Sequence, residues 1–131
     1  MGKPAAKQGD QITATDTHLV IVPDGPAKPL PHTFDGLLSG ELSTDVNIMS
    51  KPAAVVGSTA SNTSEHVLTS PGTSFQTPPS NKGTIQTGSQ TVRINGKFAA
   101  RDGDLAVTCN DPVDLPVGSV VVEPPATVNI G

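Results

Sequence analysis

The chain has 131 residues, a formal net charge of −4, 34% hydrophobic residues and only three aromatic side chains of the Phe, Tyr and Trp types, all phenylalanine. The length fits a single domain, residues 1–131, and the negative charge without any run of lysine or arginine argues against a nucleic-acid partner. A single cysteine excludes an intrachain disulfide. A domain with so few apolar residues therefore needs another source of stability, such as a bound metal ion or a partner.

The first third of the chain predicts a strand, a loop and further β-structure. His18–Val22 is rich in β-branched residues, which favour extended backbone. Pro23–Pro31 contains four prolines and predicts an ordered loop. Phe34 follows, and we expect its ring to anchor this loop to the body of the domain. Residues 36–48 return to β-structure.

The remainder predicts short strands and turns. Residues 57–83 are rich in Ser, Thr, Pro and Gly, which is typical of a disordered linker; we favour an ordered excursion, because the stretch carries His66 and Phe75. Asn95-Gly96 between alternating residues predicts a hairpin with a type I′ turn. Two more strands are predicted near 117–122 and 127–130. The fold class is therefore all-β, with very little helix.

One eight-residue pattern occurs three times, as Lys-(Pro/Phe)-Ala-Ala-x-x-Gly-(Asp/Ser). The copies are Lys3–Asp10, Lys51–Ser58 and Lys97–Asp104, spaced by 48 and 46 residues. A nearly constant period of this size is typical of repeat architectures, in which neighbouring units cover each other's apolar faces. Three copies predict a body with pseudo-threefold symmetry and repeats that begin near residues 1, 46 and 92.

The C-terminus supplies a piece that the first repeat lacks. Val46-Asn47-Ile48 and Val92-Arg93-Ile94 each stand just before a copy of the pattern, and nothing equivalent precedes the first copy. The chain ends in Val128-Asn129-Ile130-Gly131. We therefore expect residues 127–131 to form a strand that closes onto the first repeat, with Ile130 close to Lys3.

Three histidines and the cysteine are candidate metal ligands. His18 and His66 each lie 15 residues after the lysine of their repeat, and Cys109 lies 12 residues after Lys97. A pseudo-threefold axis would bring these three side chains together, and His32 would supply a fourth. Nitrogen and thiolate ligands in a tetrahedral set are typical of structural zinc.

Other interpretations remain open at this stage. Three histidines are an ordinary number for this length, and a lone cysteine is often a small buried hydrophobe. If His32 is not a ligand, His18, His66 and Cys109 would leave an open position on zinc, as in a small zinc-dependent hydrolase with Glu65 as its base. A metal-free capping module is the third alternative.

The repeated stretches resemble the Pro-Ala-Ala-Arg (PAAR) repeat family of spike-tip proteins in contractile injection systems. The similarity is strongest from Gly83 to Asp104, and the motif is degenerate: Phe98 replaces its proline, and Lys7 and Val55 replace its arginine. The resemblance implies a small β-rich cone with a metal near its point, bound by His18, His32, His66 and Cys109, with zinc as the cofactor.

The resemblance also implies a function. We expect a monomer that caps a trimeric β-helical spike, one tip per trimer, sharpens it for piercing target membranes and has no catalytic residues. Contact with the membrane would be transient, and effector cargo, if there is any, would be attached non-covalently. No signal peptide is visible, so we expect synthesis in a bacterial cytoplasm and assembly at the tip of a type VI secretion or extracellular phage-tail-like particle.

Overall fold

A computed structural model describes residues 2–131 of the chain. This part of the chain is all-β and contains no helix, which confirms the predicted fold class; it therefore offers no helix long and apolar enough to cross a membrane. The strands of the described residues are β1 (Lys3–Pro4), β2 (Gln11–Ile21), β3 (Lys28–Gly40), β4 (Asn47–Ile48), β5 (Lys51–Pro52), β6 (Thr59–Asn62), β7 (Ser74–Phe75), β8 (Lys82–Ile85), β9 (Arg93–Ile94), β10 (Lys97–Phe98), β11 (Leu105–Thr108), β12 (Leu115–Val121) and β13 (Asn129–Ile130).

The main sheet closes on itself. Its antiparallel strands follow the order β12-β11-β8-β6-β3-β2, and β12 also pairs with β2, so that six strands form a barrel with β7 added beside β2. Val120 lies opposite Ile12 at the closing pair. Closure leaves no free edge where the six strands meet, which removes the usual site of unwanted strand pairing.

The barrel interior is filled by few large side chains. Phe34 is fully buried, together with Ile12, Leu38, Ile85 and Val120. Alternating residues of β3 from His32 to Leu38 point inward, as the two-residue period of a strand requires. Gly83 makes room for Phe34: a Cβ atom added there would lie 3.3 Å from Phe34 Cζ.

The repeated alanines form a ring with threefold character. The N–H of Ala6 donates to the carbonyl of Ala100, that of Ala100 to Ala54, and that of Ala54 to Ala6, each at 3.0 Å. The alanines of all three copies are 0–1% exposed, so only small side chains fit where the three segments meet. The same cyclic order appears in three isolated bridges, Ala5–Arg101, Lys7–Ala53 and Val55–Ala99.

The Asp or Ser that ends each copy closes a tight turn. Asp10 accepts the N–H of Lys7, Asp104 that of Arg101, and Ser58 Oγ that of Val55. The motif glycine before it has a positive φ in all three copies (89°, 99° and 86°), a conformation that side chains disfavour.

The degeneracy of the motif is explained by the same turn. The residue at the position of the motif arginine is cationic in two copies, and its partner there is an aspartate. Lys7 Nζ lies 3.1 Å from Asp10, and Arg101 lies 2.9 Å from Asp104. Where the residue is Val55, the partner is the neutral Ser58. Each buried charge is thus paired, and the neutral copy buries none, which avoids the cost of an isolated charge.

Three short hairpin-like strand pairs, called the three hairpins below, surround the ring. Ile48 pairs with Lys51, Ile94 with Lys97, and Ile130 with Lys3 across the two chain ends. Asn95 and Gly96 have φ values of 54° and 79°, which agrees with the predicted type I′ turn. Met49 and Ser50 take similar positive φ values of 52° and 68°, although their residue types disfavour that turn.

Two sequence-based boundaries are wrong. β2 begins at Gln11, seven residues before the predicted His18, and β3 begins at Lys28 inside the predicted loop. Pro29 and Pro31 fit β3 because it pairs with β6 only from Gly36 onward, so their missing N–H groups break no ladder on that side. Phe34 is accordingly a core residue of a strand and does not anchor a loop.

The stretch 57–83 is structured in part. It contains β6 and β7 and leads into β8, and β6 is a member of the closed barrel. The N–H of Asn62 donates to the carbonyl of Asn81 at 2.8 Å, which ties the two ends of the excursion together. The interpretation as an ordered excursion is therefore the correct one of the two.

Candidate metal centre

The candidate ligands lie at the end of the barrel opposite the alanine ring. β2 leaves the ring at Gln11 and reaches His18 seven residues later, a rise of roughly 23 Å in an extended strand. β3 returns from the same end, where it carries His32. Long paired strands thus place the site far from the ring.

Four donor side chains come together there. Asp16, His18, His66 and Cys109 each offer one ligand atom, and these atoms all lie within 4.8 Å of one another. Asp16 and His18 are two residues apart on β2 and share its inward face. His66 follows β6, and Cys109 follows β11 directly, so the group joins three segments that are distant in sequence.

Asp16 lies at the centre of this group and is fully buried. Its Oδ2 atom is 2.8 Å from Nε2 of His66 and accepts a hydrogen bond from Sγ of Cys109 at 3.4 Å. Its Oδ1 atom accepts hydrogen bonds from Oγ1 of Thr108 and, at 3.4 Å, from Nδ2 of Asn110. One carboxylate oxygen therefore faces the other donors, and the second is held by their neighbours.

His32 is adjacent to the group but outside it. It lies directly opposite Asp16 in the pairing of β2 with β3. Its ring centroid is 5.4 Å from that of His18 and 5.3 Å from that of His66, and its Nδ1 is 3.0 Å from the carbonyl of Leu30. Of the four sequence-predicted ligands, the structure thus brings three within the 4.8 Å group and leaves His32 beside it.

The unsatisfied atoms at this end of the barrel fit a metal ion. Both ring nitrogens of His18 and Nε2 of His32 are buried without a hydrogen-bond partner. Buried polar atoms are normally paired, and an unmet one calls for an explanation such as an ion. With the carboxylate and thiol beside them, the donor set is one that binds borderline metals such as zinc.

Burial keeps His18 and Cys109 in their neutral forms in the metal-free protein. Desolvation lowers the pKa of His18, and the nearby Asp111 carboxylate, 3.4 Å from its Nδ1, opposes this only in part. Desolvation raises the pKa of the Cys109 thiol, and the charge of Asp16 raises it further. Metal binding would therefore have to displace a proton from Cys109.

The metal-free protein is expected to lose stability as the pH falls below about 6.5, the value for an unperturbed histidine. The unfolded chain then takes up a proton at His18 that the folded chain, with its lowered pKa, resists, so protonation favours unfolding. Urea unfolding in the presence of a chelator between about pH 5 and 7 measures this. The His18→Gln variant should show a shallower pH dependence; an unchanged slope would contradict this origin.

Asp16 is the member of the group that sequence reasoning missed. The predicted strand began at His18, whereas β2 extends back to Gln11. Had the strand been extended by two residues, its alternation would have placed Asp16 on the same face as His18. The missed signal was therefore the two-residue alternation of inward-facing side chains along the strand.

Glu65, the candidate base of an open site, is exposed and is not a member of the group. A cavity of about 210 Å³ borders the centre and is lined in part by His18, Cys109 and Asp111, but Glu65 does not line it.

Comparison with known protein families finds a match. The family described as PAAR motif matches residues 76–131, which include the third copy of the repeat and Cys109. No curated protein matches the chain. The match rests on the part of the chain where the repeat is strongest, and the two upstream copies occupy equivalent places in the alanine ring. Residues 76–131 therefore carry a PAAR motif.

Proposed function

We propose that this protein is a spike tip that caps a trimeric β-helical spike, with one tip per trimer. The observation that carries the proposal is the alanine ring, in which one chain repeats the same backbone hydrogen bonds three times. A trimer presents three equivalent surfaces at its end, and a single chain can meet all three only if its own base is close to threefold. The PAAR family is a family of structural spike-tip proteins.

The base of the tip would be the end that carries the ring and the three hairpins. Val46 and Val128 occupy equivalent places in two of these hairpins, and both side chains are about 40% exposed (38% and 42%). Exposed apolar residues at symmetric positions suit a contact that excludes water. The opposite end, which holds the metal centre, would lead as the point of the cone.

The metal would be structural zinc. His18, His66 and Cys109 are three of its ligands in this proposal. Because these residues come from separate segments of a domain with few large apolar side chains, cross-linking them would stiffen the point. His32, which the family resemblance also implies as a ligand, lies next to the same centre.

A structural role is favoured over the small zinc-dependent hydrolase. The base that the hydrolase would need, Glu65, is exposed and lies outside the donor group, whereas Asp16 is buried among the donors. We propose that the protein has no catalytic residues. It would be made in the bacterial cytoplasm and assembled on a secreted or extracellular contractile particle, where it meets the target membrane only transiently and carries any effector non-covalently.

The stoichiometry of the complex with a trimeric spike protein tests this function. Light scattering after size-exclusion chromatography should give one copy of this chain per spike trimer, and a monomer for the chain alone. The pseudo-threefold base accounts for this ratio, because one chain would occupy all three equivalent positions. A complex with three chains per trimer would overturn the symmetry argument.

Matched variants locate the contact surface. The double variant Val46→Asp/Val128→Asp should weaken binding to the spike by at least about 100-fold, since charges would be buried in an apolar contact. Val117→Asp is the control, because Val117 is 47% exposed but lies on β12, away from the hairpins. Equal weakening by both changes would contradict the proposed base.

A further inference from the structure

We propose that the metal ion reaches its site through the cavity of about 210 Å³ that borders the centre, and that the Asp114 carboxylate attracts the ion at the mouth of this cavity. The inference rests on the proposed metal centre and concerns the route to it, whichever side chains complete the ligand set. It is carried by the burial of the donors, by the position of the cavity and by the charges that line it.

The donor atoms are closed off from solvent. His18 is 1% exposed and Cys109 is 3% exposed, and both ring nitrogens of His18 are buried without a hydrogen-bond partner. A hydrated ion cannot cross packed side chains, because protein interiors are as dense as organic crystals. An ion that binds the folded protein therefore needs an opening that leads from the surface to these donors.

The cavity provides such an opening. Its lining includes His18 and Cys109 at the inner end, and its exposed lining residues form the rim: Thr77, Pro78, Ser80, Pro112 and Asp114. Its volume is several times the roughly 30 Å³ that one water molecule occupies in the liquid, so an ion can enter it together with water. A larger cavity of about 390 Å³ is lined by residues 22–29 and Pro71, and none of the donor group lines that one.

The charge of the lining favours a cation. Asp111 and Asp114 both line the cavity, and no lysine or arginine does. The lysine and arginine ion pairs of residues 2–131 are made elsewhere. The Oδ2 atom of Asp111 lies 3.4 Å from Nδ1 of His18 and accepts the N–H of Leu19 at 2.8 Å. Asp111 is thus fixed at the inner end of the path and Asp114 lies at its rim. A cleft lined by one sign of charge raises the association rate of the opposite ion.

The walls of the cavity are stiff. Pro78, Pro79 and Pro112 belong to its lining, and proline restricts the backbone to a narrow range of φ. The opening is therefore part of the folded structure and does not depend on a large local movement. It follows that one bulky side chain on the rim should obstruct it, and Ser80 is an exposed position there.

Charge reversal at the mouth tests the role of Asp114. Metal-free Asp114→Lys should take up cobalt at least about fivefold more slowly than the wild type, as followed by the thiolate-to-cobalt absorption band in a stopped-flow instrument. Asp24→Lys is the matched control, because Asp24 is also exposed but lines the other cavity, and its uptake rate should stay close to that of the wild type. In about 1 M salt, where the Debye length is about 3 Å, the two variants should become alike. Equal slowing by both changes at low salt, or by neither, would overturn the role of Asp114.

A bulky side chain on the rim tests the route itself. Ser80→Trp should slow both uptake and release of the metal by at least about tenfold and leave the affinity nearly unchanged, because a plug raises the barrier in both directions. Pro26→Trp, at the other cavity, is the control and should release metal at the wild-type rate.

Release from the metal-loaded protein into excess chelator covers the case in which the metal-free chain does not stay folded. Unchanged or faster release from Ser80→Trp would overturn the route, since the ion would then leave by another path or by unfolding. A wild-type protein that binds neither zinc nor cobalt would instead overturn the proposed metal centre.

Discussion

Replacing Cys109 by serine is expected to abolish stoichiometric metal binding and to lower the free energy of unfolding by roughly 4 kcal/mol or more. Serine is a poor ligand for zinc, and a bound ion present at about 1,000 times its dissociation constant contributes about 4.1 kcal/mol. Cys109 is 3% exposed and belongs to both the core and the donor group. Metal content by mass spectrometry and urea unfolding of the two proteins measure the effect.

The control is the same comparison in excess chelator. If Cys109 acts through the metal, wild type and Cys109→Ser should unfold at similar urea concentrations once the ion is removed. If Cys109 acts only as a small buried hydrophobe, the difference in stability between the two proteins should persist without metal. That second result would show that a metal cross-link does not stabilise the protein, and so would a purified wild-type protein that contains no zinc.

Phe34→Ala is expected to cost about 3–5 kcal/mol, the range for deletion of a buried aromatic ring. Phe34 is the largest fully buried side chain, and a Cβ atom added to Gly36 or Gly83 would lie 3.1–3.3 Å from its ring. Backbone has moved into contact with this ring, so the neighbourhood cannot easily collapse when it is deleted. Urea unfolding of the metal-loaded protein measures the loss.

Phe98→Ala provides a matched control for the same chemical change. Phe98 is only half-buried and lies under Arg93, whose guanidinium carbon is 4.6 Å from the ring centroid. We expect a loss of about 1–2 kcal/mol, from partial burial and a cation–π contact. Equal losses in the two variants would contradict the assignment of Phe34 to the centre of the core.

The repeat is the clearest feature of the sequence, and the structure explains why the residues at some of its positions vary. The two alanines recur because side chains larger than a methyl group do not fit in the ring, and the glycine recurs because its φ is positive. The position of the motif arginine varies together with its partner, as in Arg101–Asp104 and Val55–Ser58. Either a charged or a neutral pair closes the turn, so the fold tolerates both.

Strand boundaries were predicted less well where pairing overrides local preference. Pro29 and Pro31 indicate a loop when taken alone, but β3 accepts both because one of its sides is free there. Met49 and Ser50 take a turn conformation that they disfavour, since the flanking pair Ile48–Lys51 requires it. In each case a tertiary contact decided the local conformation.

The sequence by itself determined that this protein is all-β, that it repeats one turn motif three times, and that its candidate metal ligands are His18, His32, His66 and Cys109. These conclusions follow from composition and spacing, which a chain carries locally. Only the tertiary structure decided that Asp16 joins those residues, because its contacts with Thr108 and Cys109 span 92 and 93 residues. Such contacts depend on strand register and barrel closure, and a one-residue shift in register would turn these side chains to the opposite face.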